Sequence, residues 1–350
     1  MGVYHISGLG LSPGALTVPL TVIYLLQVAQ LKGDEKAIQF FSSSGELKPR
    51  KGSREVLQGV PEYIIILTSK EVISGSAQLR YRSNWFGIPK TVKSEPVDKV
   101  LRLFFENLSE YLDREFDDDV SSKILKKLKG IYLIEVQHDN FEDCFFKAGV
   151  TLKALGAITL EGTMHEIWAN MIAGTNQINS AILMAGAYTA SVSRYYYLFQ
   201  SLENSDLLEP EWIEKPKERI PTELLLQRWN ELPLFSIDVG PILLKISELF
   251  QGRDVVNINE FEQALREEID KLRSRENAEI WYYSSRVLNR QFLAKLVGRI
   301  ILITESKVVK GPLFDKIIEI WKKIDLADVK NFKEWRQWSE EQEILYEVKI

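Results

Sequence analysis

From Ile6 to Leu31 no residue carries a charge, and the turn Gly8-Leu9-Gly10-Leu11-Ser12-Pro13-Gly14 breaks that run near its start. A charge-free stretch of this length is long enough for a membrane span. It also holds Ser7, Ser12, Thr17, Thr21, Gln27 and Gln30, with Pro19 beyond the glycine turn, and a lipid-facing helix would leave such groups unsatisfied. A buried strand over Val3–Ser7, a tight glycine turn and a buried helix over Ala15–Lys32, stopped by Gly33, account for the pattern better. No basic segment precedes an apolar core, so the chain reads as cytoplasmic, with neither signal peptide nor membrane partner.

The same alternation continues. Glu62–Val72, Gly130–Val136, Ile167–Ile172 and Arg194–Phe199 read as buried strands, and Val97–Tyr111, Phe141–Leu155 and Ile178–Ser191 as helices. Gln39–Leu57 is rich in Ser, Lys, Arg and Gly and reads as a loop or extended insertion. Strands separated by helices predict a parallel, Rossmann-like α/β sheet with right-handed crossovers. Asn204–Pro221, with Pro210, Pro216 and Pro221, reads as a linker. Beyond it the pattern turns mostly helical: Val239–Phe250, Glu260–Asn277, Ser285–Val297 and Phe314–Ile324, with a hairpin from Arg299–Thr304 and Lys307–Val309. Asn259 and Glu262 have the spacing of a capping box. Three helices followed by a hairpin is the order of a winged helix. The expected division is residues 1–203, a linker over 204–221, and a winged-helix-like domain over 222–350.

Composition removes several classes. With 350 residues, 44 Lys+Arg against 49 Asp+Glu and 45% hydrophobic residues, the chain is neither disordered nor uniformly basic. The single cysteine, Cys144, forms no internal bridge and no thiolate metal site, which fits a reducing compartment. No cofactor or metal is implied.

The glycine turn lies between a strand and a helix. Glycines at 8, 10 and 14 let backbone N–H groups approach a phosphate, and the helix N-terminus favours its charge. The spacing departs from the dinucleotide fingerprint, and no Gly-Lys-Ser/Thr marks a phosphate-binding Walker loop. Gly174-Thr175-Asn176-Gln177, with Asn179, repeats the design after another strand. Its hydroxyl and amides suit phosphate, ribose or base edges, and Thr175 or Asn176 also suits a helix cap.

The stretches ISGLGLSPGALTVPL and ANMIAGTNQINSAILMAGA resemble the CARF domain of CRISPR-associated proteins, over about residues 1–200. The resemblance implies a Rossmann-like homodimer whose groove binds cyclic oligoadenylates made by type III CRISPR complexes. Asn176 stands where the family's second motif usually carries a basic residue. Many CARF proteins add a HEPN ribonuclease, marked by an arginine followed four to six residues later by a histidine. Here His5, His138 and His165 all precede the linker. A CARF domain with a winged-helix-like tail and no effector nuclease resembles two groups: ring nucleases, which cleave the cyclic messenger in the CARF groove, and CARF transcription regulators.

Ring-nuclease chemistry fits the residue set. A ribose 2′-OH attacks the adjacent phosphate in line, and the protein holds that geometry and stabilises the developing charge without a metal. Ser12 is the candidate to meet the scissile phosphate or the 2′-OH, with an N-cap as its alternative role. Lys70 and Arg82 are the candidate cations. Arg80 and Arg82 flank Tyr81, a pattern that suits phosphate contact with base stacking. Gln137 and His138 end another strand on the same sheet edge, and His138 suits proton transfer. The candidate ligand-binding set is therefore Gly8, Leu9, Gly10, Leu11, Ser12, Pro13, Gly14, Arg80, Gln137, His138, Gly174, Thr175, Asn176, Gln177 and Asn179, and cyclic tetra-adenylate is the candidate ligand. His5, in mid-strand, reads as a core residue.

Residues 271–310 carry nine Lys and Arg against three Glu. Arg286, Arg290, Lys295 and Arg299 lie on or just after the expected recognition helix. This is a candidate DNA face, or a charged face balancing the acidic stretch Glu260–Asp270.

Overall fold

The computed structural model describes residues 3–42, 59–82, 92–116, 120–156, 166–189, 191–198, 220, 222–232, 240–275 and 299–349. In chain order the first part runs β1 (Val3–Leu9), α1 (Gly14–Leu31), α2 (Glu35–Ser42), β2 (Pro61–Thr68), α3 (Lys70–Ile73), β3 (Leu79–Arg82), β4 (Val92–Glu95), α4 (Val97–Glu115), α5 (Val120–Ile124), β5 (Gly130–Glu135), α6 (Phe141–Leu155), β6 (Glu166–Asn170), α7 (Asn176–Thr189) and β7 (Arg194–Leu198). The later part runs α8 (Thr222–Arg228), β8 (Trp229–Glu231), α9 (Gly240–Leu249), β9 (Val255–Asn257), α10 (Ile258–Arg275), β10 (Ile301–Ile303), β11 (Lys307–Lys310), α11 (Phe314–Leu326), α12 (Phe332–Glu341) and β12 (Leu345–Val348). Two compact units form: residues 1–186, 191–234 and 329–350, and residues 187–190 with 235–328.

The first unit is built on a seven-stranded sheet of order β12-β5-β2-β1-β6-β7-β8. The five central strands are parallel, and β12 and β8 close the edges antiparallel. The chain steps from β1 outward to β2 and β5, then crosses to β6 and β7 on the other side of β1. The switch point of this Rossmann-like sheet therefore lies between β1 and β6.

Alternation along the strands sorts the core. Val3 and Leu9 of β1, Ile64 and Ile66 of β2, and Ile131 and Leu133 of β5 pack with α1 and α4. Helix α1 is apolar on all sides because it is enclosed: Leu16, Leu20, Val22, Ile23, Tyr24, Leu25, Leu26 and Val28 have no exposure. On the opposite face Tyr4, Tyr63 and Tyr132 line up across β1, β2 and β5, and Phe332 of α12 touches all three rings. The indole N–H of fully buried Trp335 donates to Thr151 of α6 at 3.0 Å, tying α12 to the same layer. At the other edge the buried Arg194 guanidinium lies against the Phe40 and Trp168 rings. It pairs with Glu231 at 3.1 Å, fixing β8 beside β7.

These edge strands correct the expected division at residue 222. Residues 222–232 and 329–349 belong to the first unit, because β8 pairs with β7 and β12 with β5. The expected linker falls outside the described residues except for Ile220, which is buried. The expected strand over Glu62–Val72 stops at Thr68, and α3 begins at Lys70. The expected loop over Gln39–Leu57 begins as α2, which runs through Ser42.

In the second unit α9, β9, α10, β10, β11 and α11 follow in order, and the three strands form an antiparallel sheet β10-β11-β9. Val256, Val308 and Ile303 lie directly opposite one another on one face, Val255, Val309 and Leu302 on the other. Helix α10 is capped by Asn257, whose carboxamide oxygen accepts the Asn259 N–H at 2.9 Å; Asn259 itself is inside the helix rather than its cap. The expected helix over Ser285–Val297, with Arg286, Arg290 and Lys295, lies outside the described residues; Arg299 is exposed.

Candidate functional site

Parallel strands deliver all their carboxyl ends to one edge, so the turns after β1, β2, β5 and β6 gather there. The turn after β1 and the turn after β6 flank the switch point. They are joined directly, since the Gly10 N–H donates to the Ala173 carbonyl at 2.9 Å. Gly8 and Gly174 meet backbone to backbone, and a Cβ on Gly8 would fall 2.5 Å from the Gly174 Cα.

The neighbouring strands add their own ties. The Thr68 hydroxyl at the end of β2 donates to the Leu9 carbonyl at 2.8 Å. The Arg80 N–H donates to the Leu11 carbonyl at 3.2 Å, which anchors β3 on the glycine turn. The Thr175 hydroxyl reaches the His138 carbonyl at 3.5 Å, at the limit of a hydrogen bond.

Within this frame the expected residues divide. Leu11 and Ser12 are exposed at the tip of the first turn. Pro13, not Ser12, is the N-cap of α1, and it has no side-chain cap bond. Among the described residues the Ser12 hydroxyl makes no hydrogen bond, and the side chain is exposed. Lys70 opens α3 and is exposed, as are Arg80, Gln137, His138, Asn176 and Gln177. Arg82 stands in β3 opposite Val92 of β4, two residues along the strand from Arg80.

Other expected ligand residues are engaged by the protein. Gly8 and Leu9 are buried inside β1. The Asn179 side chain folds back on Gly174, accepting its N–H at 3.2 Å and donating to its carbonyl at 3.1 Å. Thr175 caps α7 by accepting the Ile178 N–H at 3.4 Å. Gln137 accepts from the Asn140 amide at 3.2 Å, while its N–H donates to Asp143 at 2.7 Å.

Two features were not anticipated from the sequence. Glu71 joins the site edge: the Ser69 hydroxyl and the Glu71 backbone N–H hold its carboxyl below the usual range, and His138 and Lys70 add to the effect. Asn170, fully buried at the end of β6, donates from its amide to the Ala15 carbonyl of α1 at 2.9 Å. Its carbonyl oxygen accepts the Ile172 N–H at 3.2 Å. A polar residue inside the apolar run IWANMI is the available signal, but that run reads as continuous strand.

Among the described residues the edge thus presents an unpartnered hydroxyl beside a helix N-terminus, the cations Lys70 and Arg80, an imidazole, exposed amides at Asn176 and Gln177, and two exposed apolar side chains, Leu11 at 55% and Ile172 at 38%. Such a surface suits a ligand that carries both phosphate and a flat apolar ring. Among the described residues no cluster of His, Cys, Asp and Glu has the make-up of a metal site. His5 is distant in kind: it is buried in β1, its Nε2 is bonded to the Tyr196 hydroxyl, and burial pushes its pKa down to about 3. Cys144 is buried too, and its thiol is pushed up to about 11.

No family model matches the chain. The solved structure of Enterococcus italicus Csm6 bound to cyclic hexa-2'-fluoro-hexa-dAMP is similar with a TM-score of 0.33 and 12% identity, over 85% of this chain and 55% of that one. An "Uncharacterized protein" of Archaeoglobus fulgidus is 45% identical over 340 residues, which is 96% of this chain and 95% of that protein. At that identity over nearly the whole length, the chain belongs to the same family as the Archaeoglobus fulgidus protein.

Proposed function

We propose that this protein is a CARF-type ring nuclease of the cytoplasm. It binds cyclic tetra-adenylate as a homodimer and cleaves it without a metal, ending a type III antiviral signal. The observation that carries the reading is the Ser12 hydroxyl: exposed, without a protein partner among the described residues, and set on the glycine turn at the switch point between β1 and β6.

In the proposed reaction a ribose 2′-OH attacks the adjacent phosphorus and the 5′-oxygen leaves, giving a 2′,3′-cyclic phosphate and a 5′-hydroxyl. Ser12 orients the 2′-OH or the phosphate. Lys70 and Arg82 offset the charge that builds on the phosphoryl oxygens, and the N-terminus of α1 adds its dipole. His138 serves proton transfer, taking the 2′-OH proton or supplying the one the leaving 5′-oxygen gains, with water exchanging the other. Leu11 and Ile172 offer apolar contact to bases, and Gln137, Asn176 and Gln177 offer amides to base edges. Gly8, Leu9 and Asn179 act by shaping the turns.

Incubation of the pure protein with labelled cyclic tetra-adenylate in EDTA tests the reading. The expected result is conversion to linear products, lost on Ser12→Ala with binding retained. Tight binding without cleavage removes the nuclease and leaves a sensor.

A second reading has its own observation. Helix α9, strand β9, helix α10 and an antiparallel hairpin whose β11 pairs with β9 fit the winged-helix order, whose expected third helix over Ser285–Val297 lies outside the described residues. In that reading the protein is a ligand-responsive transcription regulator, and its second unit binds DNA. A gel shift that responds to cyclic oligoadenylate supports it. The absence of a shift with and without ligand removes it.

A further inference from the structure

Helix α1 carries Pro19 in its second turn. Proline has no N–H, so the carbonyl four residues earlier, that of Ala15, loses the donor an interior helical carbonyl receives. The missing donor comes from outside the helix. The Asn170 amide reaches the Ala15 carbonyl at 2.9 Å, while its own oxygen takes the Ile172 N–H at 3.2 Å. Asn170 has no exposure, so water cannot replace either bond. One buried side chain therefore grips the first turn of α1 and the start of the β6–α7 turn together.

The Ser12 turn needs such a grip. Its helix has no side-chain cap, and the Ser12 side chain makes no bond among the described residues that would hold it in place. Besides Asn170, the Gly10 N–H to Ala173 is, among the described residues, the direct hydrogen bond between the two turns. With an ordinary residue at position 19, the Ala15 carbonyl would be satisfied within the helix and the external donor would be dispensable. The proline makes that donor necessary.

We infer that Asn170 is a positioning residue. Using the carbonyl that Pro19 leaves open, it sets the spacing between Ser12 and the turn formed by residues 171–175. Its consequence for catalysis rests on the proposed reading of Ser12; the positioning itself does not. Asn170 touches neither ligand nor reacting atoms.

Four proteins test this: wild type, Asn170→Ala, Pro19→Ala and the double variant. Three readouts are compared: thermal midpoint, amide hydrogen exchange of residues 10–16 and 171–176 in the free protein, and cleavage of cyclic tetra-adenylate with its Kd. Asn170→Ala is expected to lower the midpoint and speed exchange in both turns. In the double variant the N–H restored at position 19 satisfies the Ala15 carbonyl, so the midpoint recovers. Both turns nonetheless stay open to exchange, and kcat stays roughly tenfold or more below wild type with a smaller change in Kd.

If exchange in the double variant returns to the wild-type rate with the midpoint, Asn170 only satisfies a carbonyl and the inference fails. It fails equally if Asn170→Ala leaves exchange in either turn unchanged. If the wild type neither binds nor cleaves cyclic tetra-adenylate, the ring-nuclease reading falls, and the exchange comparison still decides the role of Asn170.

Discussion

Gly8 and Gly174 approach so closely that neither tolerates a side chain: a Cβ on Gly8 would lie 2.5 Å from the Gly174 Cα, and one on Gly174 would lie 2.9 Å from the Gly8 Cα. This contact lets the turn after β6 lie against β1 and brings Gly10 within reach of Ala173. Gly8→Ala is expected to cost about 1–3 kcal/mol, the range for overpacking a close backbone contact, because Ile178 at 2.8 Å blocks the other way out. Urea unfolding measures the loss. Ligand binding should fall further than the lost stability explains, since the two turns separate.

Ser12→Ala should be nearly silent in stability, within about 0.5 kcal/mol, because the hydroxyl makes no protein bond among the described residues. A serine that capped α1 would cost about 1 kcal/mol on removal. Chemical denaturation of the two proteins separates these outcomes. A loss near 1 kcal/mol would mean that the hydroxyl serves the fold rather than a ligand.

Acid should weaken the fold through His5. Burial lowers its pKa from 6.5 to about 3, so below pH 6.5 the unfolded chain takes up a proton that the native protein refuses. The stability associated with neutral His5 is complete above pH 6.5 and declines as pH falls toward 3, by at most about 1.4 kcal/mol per pH unit. His5→Gln should flatten the fall in unfolding free energy between about pH 7 and pH 5. An unchanged slope would assign the acid sensitivity to other groups.

Glu343 ends α12 with φ at 57°, in the left-handed region. Its N–H donates to the Glu340 carbonyl at 3.0 Å, and the next N–H, of Ile344, donates to Ser339 at 3.1 Å, so the chain can turn into β12. Glycine adopts this conformation without the Cβ clash. Glu343→Gly is expected to raise the unfolding free energy by about 1 kcal/mol, read from the denaturation midpoint.

Much of the parallel sheet was legible because its strands are apolar on both faces. EYIIILT, GIYLIE and EIWAN cannot sit with one face in water, and the helices between them have the length of crossovers. Edge elements were not legible. WNE is three residues long, and LYEV alternates weakly, so neither carries a burial signal of its own. Both become strands because a neighbour offers an unpaired edge, and that neighbour is more than 30 residues away for β8 and more than 200 for β12. For the same reason the division near residue 222 was misplaced.

The candidate site shows a similar split. Glycines between an apolar strand and an apolar helix mark a turn by themselves, since only a backbone without side chains fits there. The sequence therefore determined that two such turns exist, and which residue types they hold. It also placed Pro19 in a helix whose burial follows from its lack of charge. Only the tertiary structure decided what each polar group does. Ser12 and Asn179 are both small, polar and close to glycines, yet the Ser12 hydroxyl makes no bond among the described residues while Asn179 closes on Gly174. Asn170 finds its partner on a helix 155 positions away. A hydrogen bond is settled by distance and direction in space, and strand order, which fixes those distances, is a property of the assembled sheet rather than of any local stretch of chain.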